Sequence, residues 1–237
     1  MSKVLIIVPA YNEQEAIEGT IRNLLTEEGY DILVVNDGSV DKTEEILKSI
    51  SNSRFRYISL PQNCGIGGGM QTGFQYAVLH DYDFGVQFDG DGQHSIDSLK
   101  ELINHASNNQ LELCVGSRFL EKDSENFQST AMRRVGIKFF SGLIGTITGT
   151  KVTDPTSGFR VYGRKALTAF ADNYPDDYPE PEALFYCARR GFNVGEISVK
   201  MHERQGGESS IKKLNSIYYM VKVTAAILID WIRKKEK

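Results

Sequence analysis

Val86-Gln87-Phe88-Asp89-Gly90-Asp91-Gly92-Gln93-His94 is the stretch on which the reading of this 237-residue chain turns. An apolar strand, Phe84 to Phe88, runs into two carboxylates interleaved with glycines. Hard divalent cations such as Mg²⁺ and Mn²⁺ take oxygen ligands and bridge to substrate phosphates, so they need few protein carboxylates. Glycines at 90 and 92 let the backbone turn sharply and come close to a ligand. An Asp-x-Asp at the end of a buried strand therefore points to a metal–diphosphate site. The competing reading is an ordinary Asp/Gly turn, and the flanking sequence has to choose.

Before this stretch the chain alternates strands and helices in the rhythm of a parallel sheet. Val4-Leu5-Ile6-Ile7-Val8 reads as a strand buried on both faces. Asn12 is placed to cap a helix carrying Ala16, Ile17, Ile21, Leu24 and Leu25 at helical spacing. Ile32 to Val35 is a second strand, ending at Asn36-Asp37-Gly38-Ser39, and Asp41 caps the next helix. A short strand near Tyr57 leads to Gly65-Ile66-Gly67-Gly68-Gly69, with a helix expected from about Met70 to Leu79. After the Asp-x-Asp come a helix from Ile96 to Ala106 and a strand from Leu111 to Gly116. Residues 121–130 read as a polar surface loop, Met132 to Ile147 as a helix with Arg133, Arg134 and Lys138 near its start, and 214–237 as an apolar helix with a basic end. Segment 151–200 reads as a Pro/Asp/Tyr loop, one apolar helix and a final strand.

Bulk properties narrow the class. With 41% apolar and 24% charged residues and a net charge of −4, nothing suggests a nucleic-acid binder. The length permits one large α/β domain or two intimate lobes. Cys64, Cys114 and Cys187 are scattered and lack metal-ligand spacing, which fits a reducing cytosol. No leader precedes the first strand and no apolar run is long enough to span a bilayer, so a soluble or peripheral protein is expected.

Three features converge on nucleotide binding. Pro9-Ala10-Tyr11-Asn12-Glu13 and Asn36-Asp37-Gly38-Ser39 both fall at the carboxyl ends of parallel strands, the edge where open α/β sheets bind ligands. Asp37 can accept hydrogen bonds from a base or ribose, and Tyr11 can flank a ring. The glycine run around Gly67 opens a helix and can offer backbone N–H groups to an anion. It is not a P-loop, because the Lys-Ser/Thr ending is missing.

The ordered set Val-Pro-Ala-Tyr-Asn-Glu, Asn-Asp-Gly-Ser-x-Asp-x-Thr, Asn-x-Gly-x-Gly-Gly, Asp-x-Asp-Gly-Gln-His and Ser-Gly-Phe-Arg resembles the inverting family 2 glycosyltransferases of GT-A fold. Within that family it is most similar to the branch of dolichyl- and polyprenyl-phosphate hexose synthases, from residue 3 to about residue 212. The resemblance implies an α/β, GT-A-like fold: a mostly parallel central sheet flanked by helices, with C-terminal helices. It implies a catalytic domain over 1–210, split into a nucleotide-sugar half (1–117) and an acceptor half (118–210), before a helix at 211–237. It also implies a nucleotide-diphosphate sugar donor, with Pro9, Tyr11, Glu13 and Asp37 around the nucleoside, Gly67 and Arg118 on the donor side, and Asp89, Asp91 and Gln93 at an Mg²⁺ or Mn²⁺ site. Asp91 is the preferred direct ligand, Asp89 the partner of the ribose or a metal-bound water, and His94 a supporting residue.

The same resemblance places Asp154 to Arg160 beneath the sugar, matches Glu180 and Glu182 to an acidic helix start, and reads 202–210, with its paired glycines, as a closing loop. A hydroxyl acceptor needs a general base, for which Asp154 or Glu182 are the candidates. A polyprenyl phosphate is already anionic and needs positive charge instead, which Arg118, Arg133, Arg134 and Arg204 can supply. That count favours the lipid phosphate and a location at the inner face of the cell membrane, with a glycan hydroxyl in cell-wall or capsular polysaccharide synthesis as the alternative. The apolar tail suits an interfacial helix, or a helix packed on its own domain, on a second copy of the chain or on a small membrane protein. A non-catalytic sugar-nucleotide-binding subunit is the remaining reading, and intact Asp89, Asp91, Arg160 and Arg204 speak against it.

Overall fold

The computed structural model describes residues 2–90, 92–120, 131–200 and 215–233. Among these residues seven strands form one sheet in the order β3-β2-β1-β4-β6-β5-β7. These are β1 (Val4–Ala10), β2 (Tyr30–Asn36), β3 (Phe55–Ser59), β4 (Phe84–Gln87), β5 (Leu113–Ser117), β6 (Arg160–Gly163) and β7 (Val194–Ser198). β1 pairs in parallel with β2 and β4, β2 with β3, and β5 with β7, whereas β6 runs antiparallel between β4 and β5. The carboxyl ends of six strands and the start of β6 therefore share one edge.

The strand period of two sorts the core into two layers. Val4, Ile6, Val8, Ile32 and Val34 pack on α1 (Ile17–Leu25), α2 (Thr43–Ser49) and α4 (Ile96–Asn108) through Ile17, Ile21, Leu47, Leu99 and Leu102. Leu5, Ile7, Leu33 and Val35 face the other way. They meet α3 (Gly65–Leu79), α5 (Ala131–Thr148), α6 (Arg164–Asp172), α7 (Pro179–Arg189) and α8 (Asn215–Ile232). The mostly parallel sheet with helices on both faces and helices at the C-terminus is the expected architecture.

Three local readings are corrected. Helix α3 begins at Gly65 and takes in the whole glycine run rather than starting at Met70. Segment 151–200 holds two helices and two strands instead of one of each, because Arg160–Gly163 is a fully buried strand. Its insertion between β4 and β5 joins the β1–β4 block to β5 and β7 in one sheet. Asn12 does not cap α1: it has φ +55°, and its Oδ1 accepts the Val40 N–H at 2.9 Å. That bond laces the β1 and β2 exit loops together, with Ser39 Oγ accepting from Asn12 N–H and Thr43 Oγ1 from Glu13 N–H, both at 2.9 Å.

The C-terminal helix packs on its own domain. Val223 and Ile227 are buried in the core, and the Tyr219 ring meets Phe140 of α5 at 5.5 Å and Tyr178 at 4.7 Å. Arg189 of α7 donates to the carbonyls of Asp230, Trp231 and Arg233, closing the end of α8 where backbone acceptors lack helical partners. Among the described residues no helix is long and apolar enough to cross a membrane.

Candidate functional site

At the sheet edge, Asp37 follows β2 with its side chain buried, and its Oδ1 accepts the Cys64 N–H at 2.7 Å. This bond fixes the carboxylate against the approach to α3. Gly38 then turns at φ +67°, where a Cβ would lie 2.6 Å from the Gln62 carbonyl carbon, so only glycine fits. Tyr11, after β1, is 46% exposed beside this pair, while Pro9 and Glu13 are half-buried. Pro9, Tyr11, Glu13 and Asp37 thus share one end of the edge.

Gly67 has a different task from the one its sequence suggested. Its N–H donates to the Asp176 carbonyl at 3.0 Å, so that donor is already engaged within the chain. A Cβ there would sit 2.1 Å from the Pro175 oxygen and 2.4 Å from that of Asp176. The glycine lets α3 pack directly on the 175–176 backbone.

Asp89 stands just past β4 with its side chain 35% exposed. Burial would raise its pKa, but nearby His94, a hydrogen bond from Gln87 and the Arg118 charge outweigh it and hold the carboxyl below its ordinary range. The His94 ring is sandwiched in the core, stacked on Phe159 at 4.4 Å and edge-on to Phe88 at 5.1 Å. Its Nε2 is 3.2 Å from Asp89 Oδ2, out of line for a well-formed hydrogen bond. His94 therefore props the carboxylate from behind. Gln93 is half-buried next to it, while Asp91 lies outside the described residues.

Across β6 the remaining candidate residues sort by burial. Arg118, at the end of β5, forms a two-pronged ion pair with Asp154: Nε donates to Oδ2 at 2.6 Å and an Nη to Oδ1 at 2.9 Å. Their side chains are 5% and 0% exposed. Burial pushes the Asp154 pKa up, but the Arg118 guanidinium and the Thr156 hydroxyl overcome that and keep the carboxylate ionised and low. So paired and enclosed, Asp154 stands as the buried counter-ion of Arg118, and the pair braces the end of β5 against the 154–156 turn. Arg160 is also fully buried, and its guanidinium donates to the carbonyls of Ser157, Glu180 and Pro155 at 2.6 to 2.7 Å. It ties the 155–160 loop to the start of α7.

The two glutamates of α7 part company. Glu180 faces the site. Burial holds its pKa above the ordinary carboxylate value and the Asp89 charge adds to this, against Arg160 and a hydrogen bond with Gln87. Glu182 points away, into a cavity of about 310 Å³ lined by Pro175, Phe185, Ile227 and Asp230 between α7 and α8. Burial raises its pKa to about 7, opposed by Lys222 and reinforced by Asp176, Asp177 and Asp230. Residues two apart on a helix lie roughly 200° apart around its axis, so only one of the pair can look at the site. In sequence both glutamates match the acidic helix start, with Glu182 the base candidate, while Gln87 carries no signal. Arg204 and the 202–210 loop lie outside the described residues.

Among the described residues no group of three or more His, Cys, Asp or Glu side chains could by itself hold a metal ion. The chemistry still fits a hard cation shared with a diphosphate: a partly open carboxylate at a strand end whose pKa is held below its ordinary range.

Known proteins share this sequence and frame. Residues 5–170 match the family model described as "Glycosyl transferase family 2". The chain is 31% identical over 217 residues to the UDP-N-acetylglucosamine–dolichyl-phosphate N-acetylglucosaminyltransferase of Methanococcus voltae, covering 83% of this chain and 84% of that protein. It is 26% identical over 237 residues to the polyprenol monophosphomannose synthase of Mycolicibacterium smegmatis, covering 93% and 85%. The crystal structure of glucosyl-3-phosphoglycerate synthase from Mycobacterium tuberculosis with Mn²⁺, UDP and phosphoglyceric acid superposes with a TM-score of 0.70. At 18% identity over 99% of this chain and 80% of that one, it shares the fold.

Proposed function

The chain belongs to glycosyl transferase family 2 and is a glycosyltransferase, and we propose that it moves a hexose, with inversion and with Mg²⁺ or Mn²⁺, from a nucleotide-diphosphate sugar to a polyprenyl phosphate. The observation that carries the acceptor assignment is the Arg118–Asp154 pair. It removes the first candidate base from the acceptor side, and an anionic phosphate oxygen needs none. Relatives named for dolichyl phosphate and polyprenol phosphate support the same reading.

In this reading Tyr11 flanks the base, Asp37 accepts from the nucleoside, and Pro9 and Glu13 line the pocket. Asp89, Asp91 and Gln93 would hold the cation, which supplies charge neutralisation on the departing diphosphate. His94 and Gln87 keep the Asp89 carboxylate aimed at that point. Arg160 and the Arg118–Asp154 pair keep the acceptor wall rigid, so the incoming oxygen meets the anomeric carbon opposite the leaving group. Arg204 and the exposed Arg134 and Lys138 of α5 would supply positive charge for the acceptor phosphate.

The acceptor reading requires a surface that meets lipid. On α8, Tyr218, Val221, Ala225, Ile229 and Ile232 are exposed at helical spacing, opposite the buried Val223 and Ile227. Exposed Val135 and Phe139 extend the patch onto α5. We propose that this face rests at the membrane interface, on the cytoplasmic side where nucleotide sugars are available.

A glycan hydroxyl is the second reading, and Glu180 is the observation in its favour: a carboxyl of raised pKa facing Asp89 would serve as the base. A thermal-shift panel of UDP-, GDP- and dTDP-sugars with and without Mn²⁺ tests the donor reading, because ligands that bind the native state raise its melting point. A metal-enhanced shift by one nucleotide class is expected. No shift with any donor would refute it.

A further inference from the structure

Gln87 is the last residue of β4 and only 1% exposed, an unusual place for a primary amide. Its Oε1 accepts the Tyr162 hydroxyl at 3.3 Å, and that hydroxyl meets the Tyr174 hydroxyl at 3.1 Å, both rings buried. With the oxygen fixed on the tyrosine, the amide nitrogen is turned the other way, to the side where Asp89 Oδ2 lies, and the amide opposes the burial that raises the pKa of both Asp89 and Glu180. A primary amide carries two N–H donors. Gly158 marks how close the two lie: a Cβ there would be 3.0 Å from Gln87 Nε2 and 3.3 Å from Asp89 Oδ2, tighter than an ordinary contact with either.

We infer that Gln87 is a positioning residue that holds the Asp89 carboxylate toward the cation and diphosphate, with the Tyr162–Tyr174 hydroxyl pair fixing which end of its amide faces the site. This rests on the proposed metal–diphosphate role of Asp89. The chemistry singles out glutamine. A glutamate would add a third negative charge beside Asp89 and Glu180, and a leucine would leave both carboxylates and a buried tyrosine hydroxyl short of a partner. Asparagine is one methylene shorter and cannot span Tyr162 and both carboxylates.

Mn²⁺ binding, read by electron paramagnetic resonance of the free ion, tests this on the full chain with UDP, GDP or dTDP, using the nucleotide that gives the largest wild-type thermal shift. Gln87→Leu should weaken nucleotide-dependent Mn²⁺ binding about 10- to 100-fold, the usual effect of losing a partner that orients a metal ligand. Nucleotide binding without metal should change less than about twofold, because the nucleoside contacts lie at the other end of the edge. Tyr162→Phe, which removes one oxygen and keeps the packing, should give a smaller loss in the same direction and guards against misfolding of the leucine variant. A purely structural role would lower the melting point of both variants and leave Mn²⁺ affinity unchanged, which overturns the inference while the metal reading stands. Wild-type protein that binds no Mn²⁺ with any of the three nucleotides overturns both.

Discussion

Replacing Asp154 by asparagine should unfold this protein more readily while leaving its chemistry largely intact. The substitution keeps the shape of the side chain and removes one charge from a pair whose members are 0% and 5% exposed. Arg118 would then lose the buried counter-charge to which its Nε and one Nη both donate. Breaking a buried pair from one side costs about 3–5 kcal/mol. For a chain of this size 1 kcal/mol moves the melting temperature by roughly 2–4 °C, so a fall of about 6–20 °C is expected. The acid limb should change with it. The Asp154 pKa is depressed below its ordinary 3.8, so the pair's contribution is present above that value and lost as pH falls through the folded one. Asp154→Asn should lack that part of the wild-type acid transition. The double change Arg118→Met with Asp154→Leu should restore most of the stability, because well-packed apolar replacements of buried pairs are often neutral or better. Thermal and urea unfolding between pH 3 and 7 give the comparison, with turnover measured at 20 °C, where the variant stays folded. Turnover within about tenfold of wild type is expected. A wild-type melting temperature together with a loss of about 10²- to 10⁴-fold, the usual effect of deleting a general base, would refute the structural assignment.

Other outcomes follow from single contacts. Glu182→Gln should stabilise the protein at pH 8 by about 1 kcal/mol and hardly at all at pH 5, because a carboxyl whose folded pKa is raised to about 7 loses stability as pH climbs from its unfolded value through the folded one; equal melting shifts at both pH values would contradict this. Gly67→Ala should cost about 2 kcal/mol or more by urea unfolding, since its Cβ would meet the Pro175 and Asp176 carbonyls at 2.1 and 2.4 Å and a rigid backbone has to give way; an unchanged midpoint would show that the two segments part easily. Val221→Glu with Ile229→Glu, at positions 65% and 54% exposed, should leave the melting temperature within a degree or two and reduce sedimentation with anionic vesicles severalfold. Full retention of vesicle binding would place the membrane contact elsewhere.

The strands that carry the site were readable because a parallel sheet buries both faces, and Val4 to Val8 and Ile32 to Val35 show it as continuous β-branched runs. The edge that carries the candidate site followed from topology, which puts Tyr11, Asp37 and Asp89 just past the ends of β1, β2 and β4. Strand β6 escaped because it is four residues long and opens on Arg160, whose charge masks a strand that β4 and β5 bury completely. The cation is tolerated there only because three backbone carbonyls receive it, and these come from Pro155, Ser157 and a glutamate 20 residues further on. Glu180 and Glu182 are indistinguishable by type, and the docking of α7 against α8 chooses between them. Asp154 and Arg118 both carry charge typical of active sites, and only their mutual distance and burial make them a brace. Gln87 gave no signal, because a glutamine within an apolar strand acquires its partners from β6, α7 and the loop after β4.

Transfer itself is the most direct test of the account. The purified chain, incubated with the nucleotide sugar picked out by thermal shift, Mn²⁺ and undecaprenyl phosphate in vesicles, should yield a lipid-linked sugar phosphate. Its anomeric configuration should be opposite to the donor's, and chelation should abolish its formation. Sugar appearing only on added glycan hydroxyls, or the same lipid product forming at full rate without a divalent cation, would contradict it.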